Sequence, residues 1–312
     1  MLSSSILLNV FYFIIGIAGL IAGGEMLVRG ASRFARDLGI SPVIVGLTVV
    51  AFGTSSPEFV VCLTAALQGA SDITVGNIVG SNIANLALIL GTAAVIKPIS
   101  IHTSITRVQT PFMIFLTILV SLIALNLYIG RLEGVLIFLM LPLLIIYSYF
   151  SFKHENNLNG ESNGSSKRPI IQLVMLTVGL FFLIVGARLT VSSGIEFARA
   201  FGLSELVIGI TIIAIGTSLP ELSTAIFSAL KNEHEIVVGN VIGSNIFNLG
   251  ILGLVALIHP ITVNPEAFKF DIPVMVALTI LIYPIIKIGG RISRIEGALL
   301  LCFYFGFIYT LL

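Results

Sequence analysis

The chain has 312 residues, of which 57% are hydrophobic and only 10% are charged, and its formal net charge is +1. This composition excludes an ordinary soluble domain and gives no sign of nucleic-acid binding, so we expect the lipid bilayer to be the solvent. The cysteines Cys62 and Cys302 lie in apolar runs, which favours small buried side chains over a disulfide bond. The N-terminus lacks a basic region and a small-residue cleavage pattern, which predicts a retained span rather than a signal peptide.

Apolar runs of about 20 residues, separated by polar turns, predict ten membrane-spanning helices, which we number spans 1 to 10. Their approximate limits are 6–36, 42–68, 72–96, 107–126, 131–152, 170–200, 205–230, 235–258, 267–287 and 294–312. The polar stretch 153–168 predicts a flexible linker. The chain therefore divides into a first five-helix half at 1–152, the linker at 153–168 and a second five-helix half at 169–312.

The two halves repeat each other at an offset of 163 residues. The matches include Gly53-Thr54-Ser55 with Gly216-Thr217-Ser218, Pro57-Glu58 with Pro220-Glu221, Gly80-Ser81-Asn82-Ile83 with Gly243-Ser244-Asn245-Ile246 and, past a one-residue gap and its recovery, Arg131 with Arg294. Because each half holds an odd number of spans, the second half enters the membrane from the opposite side. The sequence therefore predicts an all-α membrane protein with ten transmembrane helices as two inverted five-helix repeats, an architecture of many secondary transporters.

A proline and a glutamate stand near the middle of spans 2 and 7, in Gly-Thr-Ser-x-Pro-Glu stretches that end at Glu58 and Glu221. A bare glutamate at a lipid-exposed helix centre costs about 2.5 kcal/mol or more, and a proline removes a helix hydrogen bond. We therefore expect the two stretches to form one cation site at the bilayer midplane. Spans 3 and 8 carry Gly-Ser-Asn-Ile-x-Asn at 80–85 and 243–248, and all four central helices are expected to be broken where they meet.

Oxygen atoms dominate the side chains of these stretches. The two glutamates supply carboxylate oxygens, and freed carbonyls, Ser and Thr hydroxyls and Asn amides supply more. Such a set suits a hard cation such as calcium, which takes about 6–8 oxygens, and argues against zinc or copper. Two ionised glutamates are neutralised by one divalent or two monovalent ions, and protons are possible competitors. Occupation of shared ligands by different ions in turn is what an antiporter requires.

Basic residues distinguish the two faces of the predicted topology. Eleven Lys or Arg residues lie on the side opposite to the N-terminus and three lie on the N-terminal side. Because cytoplasmic loops carry the excess of Lys and Arg, we expect both termini outside the cell and the linker at 153–168 in the cytoplasm.

At the duplicated stretches the chain resembles the calcium/cation antiporter superfamily, specifically prokaryotic sodium/calcium exchangers. The two halves are similar to its α-repeats across nearly the whole chain. The resemblance implies a secondary active antiporter that exchanges sodium for calcium by alternating access, in which spans 1 and 6 slide as a pair against the other eight. The alternative is a proton/calcium exchanger of the same superfamily, which usually carries a Gly-Asn-x-x-Glu turn instead. An enzyme is disfavoured because no Gly-x-Ser-x-Gly or His-Glu-x-x-His motif is present.

The resemblance implies a role for each matching residue. Glu58 and Glu221 would bind calcium and sodium in turn, and the carbonyls of Thr54 and Thr217 would help to bind calcium. Flanking sodium sites would use the carbonyls of Ala51 and Ala214 and the hydroxyls of Ser55, Ser81, Ser218 and Ser244, and Asn85 and Asn248 would line the middle position. Some prokaryotic relatives and potassium-dependent members of the superfamily carry Asp where this chain has Asn248, and the loss of that charge argues against potassium co-transport. The implied partners are calcium and sodium ions and the bilayer, with no cofactor, and one monomer is sufficient for the site.

Arg188 lies inside span 6, and the repeat offset places Glu25 at its counterpart in span 1. An intramembrane arginine needs a partner or a route to the interface. Two readings are open, a Glu25–Arg188 pair across the sliding helices, or a Glu25–Arg29 pair within one helix while Arg188 reaches the interface.

Overall fold

The computed structural model describes residues 2–103, 105–159, 169–200 and 214–311. The first half contains α1 (Leu2–Leu38), α2 (Pro42–Val45), α3 (Ala51–Thr54), α4 (Ser56–Leu67), α5 (Ser71–Ala84), α6 (Leu90–Ile96), α7 (Thr110–Ile123) and α8 (Arg131–Asn159). Single π-helical turns at Gly46–Val50, Asn85–Ile89 and Ile105–Gln109 and a 3₁₀ turn at Ala124–Asn126 continue several of these helices.

The second half contains α9 (Pro169–Ala200), α10 (Ala214–Thr217), α11 (Leu219–Leu230), α12 (His234–Ile258), α13 (Pro265–Lys269), α14 (Asp271–Gly289) and α15 (Arg294–Leu311). Four two-residue strands complete the described elements: β1 (Ile99–Ser100), β2 (Tyr128–Ile129), β3 (Ile261–Thr262) and β4 (Arg291–Ile292). Helix α8 runs to Asn159, so the expectation of a flexible linker from 153 is wrong for its first seven residues. No glycine or proline lies between Pro142 and Gly160 to end the helix earlier, and 160–168 lie outside the described residues.

Eight helices in the described part of the chain are long and apolar enough to cross a membrane. The count is nine if Pro42–Thr54 and Ser56–Leu67, which are bent by 44° at their junction, form one span. These correspond to predicted spans 1 to 6 and 8 to 10. Span 7 is described only from residue 214, as α10 and α11, and its first part at 205–213 lies outside the described residues.

Helices α1 and α9 pack along their length with their backbones in close approach. A Cβ atom on Gly23 would lie 2.7 Å from the carbonyl oxygen of Gly179, and one on Gly186 would lie 2.8 Å from the carbonyl oxygen of Gly16. By the sequence offset Gly16 corresponds to Gly179 and Gly23 to Gly186, so the two contacts are copies of each other. Small residues allow this approach between membrane helices.

A second pair of glycine contacts joins the halves elsewhere. A Cβ atom on Gly134 of α8 would lie 2.6 Å from the carbonyl oxygen of Gly253 in α12, and one on Gly297 of α15 would lie 2.8 Å from that of Gly91 in α6. Gly134 corresponds to Gly297, and Gly91 corresponds to Gly253 across the one-residue gap. Each contact therefore joins one helix from each half.

The four strands form two antiparallel pairs, and each pair takes one strand from each half. Ile99 of β1 faces Ile292 of β4, and Ile129 of β2 faces Ile261 of β3. Ile99 corresponds to Ile261 in the repeat, and Ile129 corresponds to Ile292. The two strand pairs are therefore equivalent under the repeat and have the same register. The short strands were not predicted, since two-residue segments leave no periodic pattern in a sequence.

The buried apolar residues form two clusters. The larger runs through spans 2 to 5 and 7 to 10. The smaller gathers residues of α1 and α9, including Leu20, Leu27, Leu176 and Leu183, with a few side chains of spans 2 and 8. The α1–α9 pair therefore has a hydrophobic interior of its own.

The prediction that spans 3 and 8 are broken is wrong. Helix α12 is continuous from His234 to Ile258, and span 3 contains a π turn between α5 and α6 rather than a break. Neither segment contains a proline. In span 8 the glycines serve packing instead, since a Cβ on Gly243 would lie 2.7 Å from the carbonyl oxygen of Leu47.

Candidate functional site

Spans 2 and 7 are both interrupted at the serine of their Gly-Thr-Ser-x-Pro-Glu stretches. Ser55 separates α3 from α4 with φ −83° and ψ 6°, and Ser218 separates α10 from α11 with φ −90° and ψ 8°. Pro57 and Pro220 each occupy the first turn of the following helix. A proline is tolerated there because the first N–H groups of a helix have no partner within it. The duplicated sequence therefore produces the same break twice, as predicted.

The two glutamates stand in the first turns of the helices that follow the breaks. Glu58 in α4 and Glu221 in α11 are each only 1% exposed. The positive end of the helix dipole stabilises a carboxylate at this position. Burial nevertheless makes an unpaired carboxylate costly, so a cation or a proton must compensate the charge.

The breaks pack crosswise between the halves. Segment α3 contacts α12, and α10 contacts α5, so each broken span lies against the Gly-Ser-Asn helix of the other half. The hydroxyl of Ser55 donates a hydrogen bond of 3.1 Å to Oε1 of Glu221. The hydroxyl of Thr54 lies 3.2 Å from Oδ1 of Asn240 and donates to it. These bonds bring the two duplicated stretches into one site.

The predicted side chains of spans 3 and 8 are buried beside these breaks. Ser81, Asn85, Ser244 and Asn248 are all at most 3% exposed, and the turn that begins at Asn85 contacts α11. That turn is π-helical, a feature found frequently at functional sites.

Six oxygen atoms of the predicted set are buried and have no hydrogen-bond partner in the part of the chain that the structure describes. They are Glu58 Oε2, Glu221 Oε2, Ser218 Oγ, Ser244 Oγ, Asn85 Oδ1 and Asn248 Oδ1. A buried polar atom without a partner costs about 1–3 kcal/mol, and more when it is charged. So many unpaired acceptors in one set of residues are what a bound cation would satisfy.

The remaining predicted residues are less uniform. The carbonyl of Ala51 accepts the backbone N–H of Ser55 at 3.0 Å, and the hydroxyl of Thr54, which donates to Asn240, lies 3.4 Å from that carbonyl. Thr217 is the last residue of α10 and is half-buried, and Ala214 is the first. The structure therefore places all twelve predicted residues on the elements that form the breaks or on spans 3 and 8.

Two residues at the site were missed by the sequence reasoning. Asn240 accepts the bond from Thr54, and Asn82 accepts a bond of 3.1 Å from Nδ2 of Asn248. Both lie inside motifs that the repeat duplicates. Asn82 stands three residues before Asn85, a spacing that places two side chains on one face of a helix. That spacing was the available signal.

The chemistry of the site is that of oxygen donors. Within the described ranges no three His, Cys, Asp or Glu side chains come together. Carboxylate, hydroxyl and amide oxygens suit hard cations rather than zinc or copper.

Glu25 pairs with Arg29 on its own helix and with Nζ of Lys231 at 3.3 Å. The within-helix reading is thus confirmed, and the pairing across to Arg188 is wrong, because two other cations hold the carboxylate. The side chain of Arg188 is exposed, in keeping with a route to the interface. Lys231 ends α11, so this pair links α1 to the helix that carries Glu221.

A multi-pass helical protein with buried carboxylates at paired helix breaks falls in the class of membrane transporters, not enzymes. The chain belongs to the sodium/calcium exchanger family, within the calcium/cation antiporter superfamily, because the model of the sodium/calcium exchanger protein family matches residues 8–153 and 171–312.

Individual relatives cover nearly the whole chain. It is 38% identical to the putative antiporter CaxA of Alkalimonas amylolytica over 98% of this chain and 99% of that protein. It is 33% identical to the sodium/calcium exchanger MaX1 of Methanosarcina acetivorans over 98% and 99% respectively. A solved structure of the sodium–calcium exchanger NCX_Mj superposes with a TM-score of 0.85 at 31% identity, covering 98% of this chain and all of that one.

Proposed function

We propose that this antiporter exchanges sodium for calcium, by alternating access, at one site built on Glu58 and Glu221. The observation that carries the proposal is that six of the seventeen buried side-chain N and O atoms without hydrogen-bond partners in the described ranges belong to the twelve predicted residues. Relatives named as sodium/calcium exchangers at 31–33% identity support the choice of ions.

Charge supplies the coupling in this proposal. Two ionised carboxylates repel each other in a buried setting, and one calcium ion or two sodium ions at the shared oxygens would neutralise them. The empty site is then the costly state. An occupied site can cross between its inward and outward forms, and each crossing carries whichever ions are bound.

The proposed residue roles follow the family pattern. Thr54 and Thr217 would help Glu58 and Glu221 to bind calcium. The flanking sodium sites would be formed by Ala51, Ala214, Ser55, Ser81, Ser218 and Ser244, with Asn85 and Asn248 between them. Ala51 could still serve with its carbonyl, because the backbone N–H of Ser55 uses only one of the two lone pairs of that oxygen.

The proposed architecture is ten transmembrane helices in two inverted five-helix repeats, at 1–152 and 169–312. Support comes from the strand pairs and the glycine contacts, since each of them has a counterpart at the positions related by the repeat. The positive-inside rule then puts both termini outside the cell and the linker in the cytoplasm, with one strand pair at each face of the membrane.

Helices α1 and α9 are proposed to move as one body against the remaining helices. Their close backbone contact and their separate hydrophobic cluster support such a pair. Gly24 of α1 and Gly53 of α3 lie at the boundary, where a Cβ atom would meet Ser223 of α11 and Leu180 of α9. Contacts at a sliding boundary must break and re-form, which small residues allow.

The deciding experiment is calcium-45 uptake into proteoliposomes with an outward sodium gradient and both pH and membrane potential clamped. Sodium-driven uptake that stops when choline replaces internal sodium is the expected result. Uptake that ignores sodium and follows an imposed pH gradient would overturn sodium coupling and identify a proton/calcium exchanger.

The location of the site has its own test. Glu58→Gln and Glu221→Gln should each abolish exchange, because each leaves a single carboxylate for a divalent ion. Glu266→Gln is the matched control, since Glu266 is exposed at the start of α13. Full activity in either of the first two variants would mean that the site lies elsewhere.

A further inference from the structure

The amide of Asn248 has one end held by the protein and the other end free. Its Nδ2 donates a hydrogen bond of 3.1 Å to Oδ1 of Asn82, across the two halves. Its Oδ1 is buried and has no hydrogen-bond partner among the described residues. The side chain is 1% exposed, so bulk water does not reach the free end. The oxygen is therefore available to a cation.

Asn82 is itself held in one orientation. Its Nδ2 points to the sulfur of Met275 at 3.7 Å, a weak acceptor on the neighbouring helix α14. Both Asn82 and Met275 are at most 2% exposed. The amide of an asparagine donates hydrogen bonds at its nitrogen and accepts them at its oxygen. Met275 therefore fixes the orientation of the Asn82 amide, and Asn82 in turn fixes that of the Asn248 amide. In this orientation the Asn248 amide has its oxygen free for a cation, while its nitrogen is bound to Asn82.

The repeat counterpart of this arrangement is different. Asn245 corresponds to Asn82, but its Nδ2 donates 2.8 Å to the carbonyl of Val241 in its own helix. Asn85 corresponds to Asn248, and its Oδ1 is likewise buried without a partner. Only the Asn248 side of the described site thus has a cross-half amide that fixes its orientation. The two middle ligands are therefore unequal although their sequence motifs are the same.

We propose that Asn82 is a positioning residue, which holds Asn248 with its oxygen toward the transported ion and so makes it a permanent neutral ligand. The inference rests on the proposed function, because it assigns a role within that cation site. Without the Asn82 oxygen, the Asn248 amide can turn over and present its N–H groups to a cation. The amide orientation, and not the mere presence of Asn248, sets the affinity of the middle position.

The test compares three variants in detergent-purified full-length protein, by calcium-45 binding and its competition by sodium. Asn82→Leu removes the acceptor at nearly constant size and should raise the half-saturating calcium concentration about two- to ten-fold, the worth of one hydrogen bond. Asn82→Asp keeps an acceptor oxygen in the same place and should bind calcium with an affinity at least equal to that of the wild type. Asn245→Leu, at the repeat counterpart, removes a side chain that orients no neighbouring amide and should change the affinity less than Asn82→Leu does.

A double variant separates positioning from a general structural effect. In an Asn248→Ala background, Asn82→Leu should produce no further loss, because the residue through which it acts is gone. A full additional loss there, or equal effects of Asn82→Leu and Asn245→Leu, would overturn the inference. If Asn82→Leu does not fold, judged by gel filtration, Asn82→Ala takes its place under the same criteria.

Failure of this inference is distinguishable from failure of the proposed function. Wild-type protein without sodium-driven calcium exchange refutes the function. Wild-type exchange together with an unaffected Asn82→Leu variant refutes only the role of Asn82.

Discussion

A single methyl group on α1 should disturb the whole α1–α9 pair. In Gly23→Ala the new Cβ would lie 2.7 Å from both the carbonyl oxygen of Gly179 and the backbone nitrogen of Leu183. Ordinary contact begins at 3.4 Å, so the helices must separate by about 0.7 Å at this point. Both opposing atoms are backbone, so no side chain can rotate away. Overpacking of this kind costs about 1–3 kcal/mol.

The assay is thermal denaturation of the detergent-purified protein, followed by exchange measured in proteoliposomes. We expect a lower melting temperature for Gly23→Ala and slower exchange, because the two helices would no longer move as one body. Gly306→Ala in α15 is the control, since a Cβ there meets no atom within 4 Å. A helical Gly→Ala change in open space is neutral or stabilising by about 0.5–1 kcal/mol. Equal melting temperatures for the two variants would refute the close-contact argument.

Three further predictions follow from other contacts. Ser55→Ala should lower the melting temperature of ion-free protein more than Ser218→Ala, by the equivalent of about 1.5–3 kcal/mol, because only the first removes a bond to a carboxylate. Equal shifts would contradict the unequal bonding. Glu25→Lys should slow exchange and Lys231→Glu should restore it when combined, since the two form an ion pair; failure of the double variant to recover would dismiss the pair. A protease site inserted in 160–168 should give two fragments that stay together in gel filtration, because every strand pair joins the halves; separate elution would refute the interleaved halves.

The helix breaks could be predicted from the sequence because their cause is local. Pro57 and Pro220 each remove a backbone donor, and the breaks occur two residues earlier at Ser55 and Ser218. The duplicated motif also selected the residues that carry the unpaired oxygens. In each case the signal lies within a few positions of the residue concerned.

The features that escaped prediction depend on distant contacts or on ambiguous residue types. A glycine in a sequence can indicate either a helix break or a close contact between helices, and Gly243 in α12 lies at a close contact. The sequence offers Arg29 and Arg188 as partners of Glu25, whereas Lys231 approaches Glu25 only through the packing of α11 on α1. The orientation of the Asn248 amide depends on Asn82 in the other half, which no spacing rule within one helix reveals.

The two strand pairs also bear on how such a chain could have arisen. Neither half contains both strands of a pair, so a half-length chain could not complete either pair alone. In the proposed inverted-repeat architecture it would need a second copy, inserted in the membrane in the opposite orientation, to supply the missing strands and the opposing glycines. A protein able to insert both ways would make such a dimer from one gene, and duplication followed by fusion at the polar segment near residue 160 would fix the two orientations in one polypeptide. Ion ligands on the two copies could then diverge independently, as the unequal surroundings of Asn85 and Asn248 illustrate.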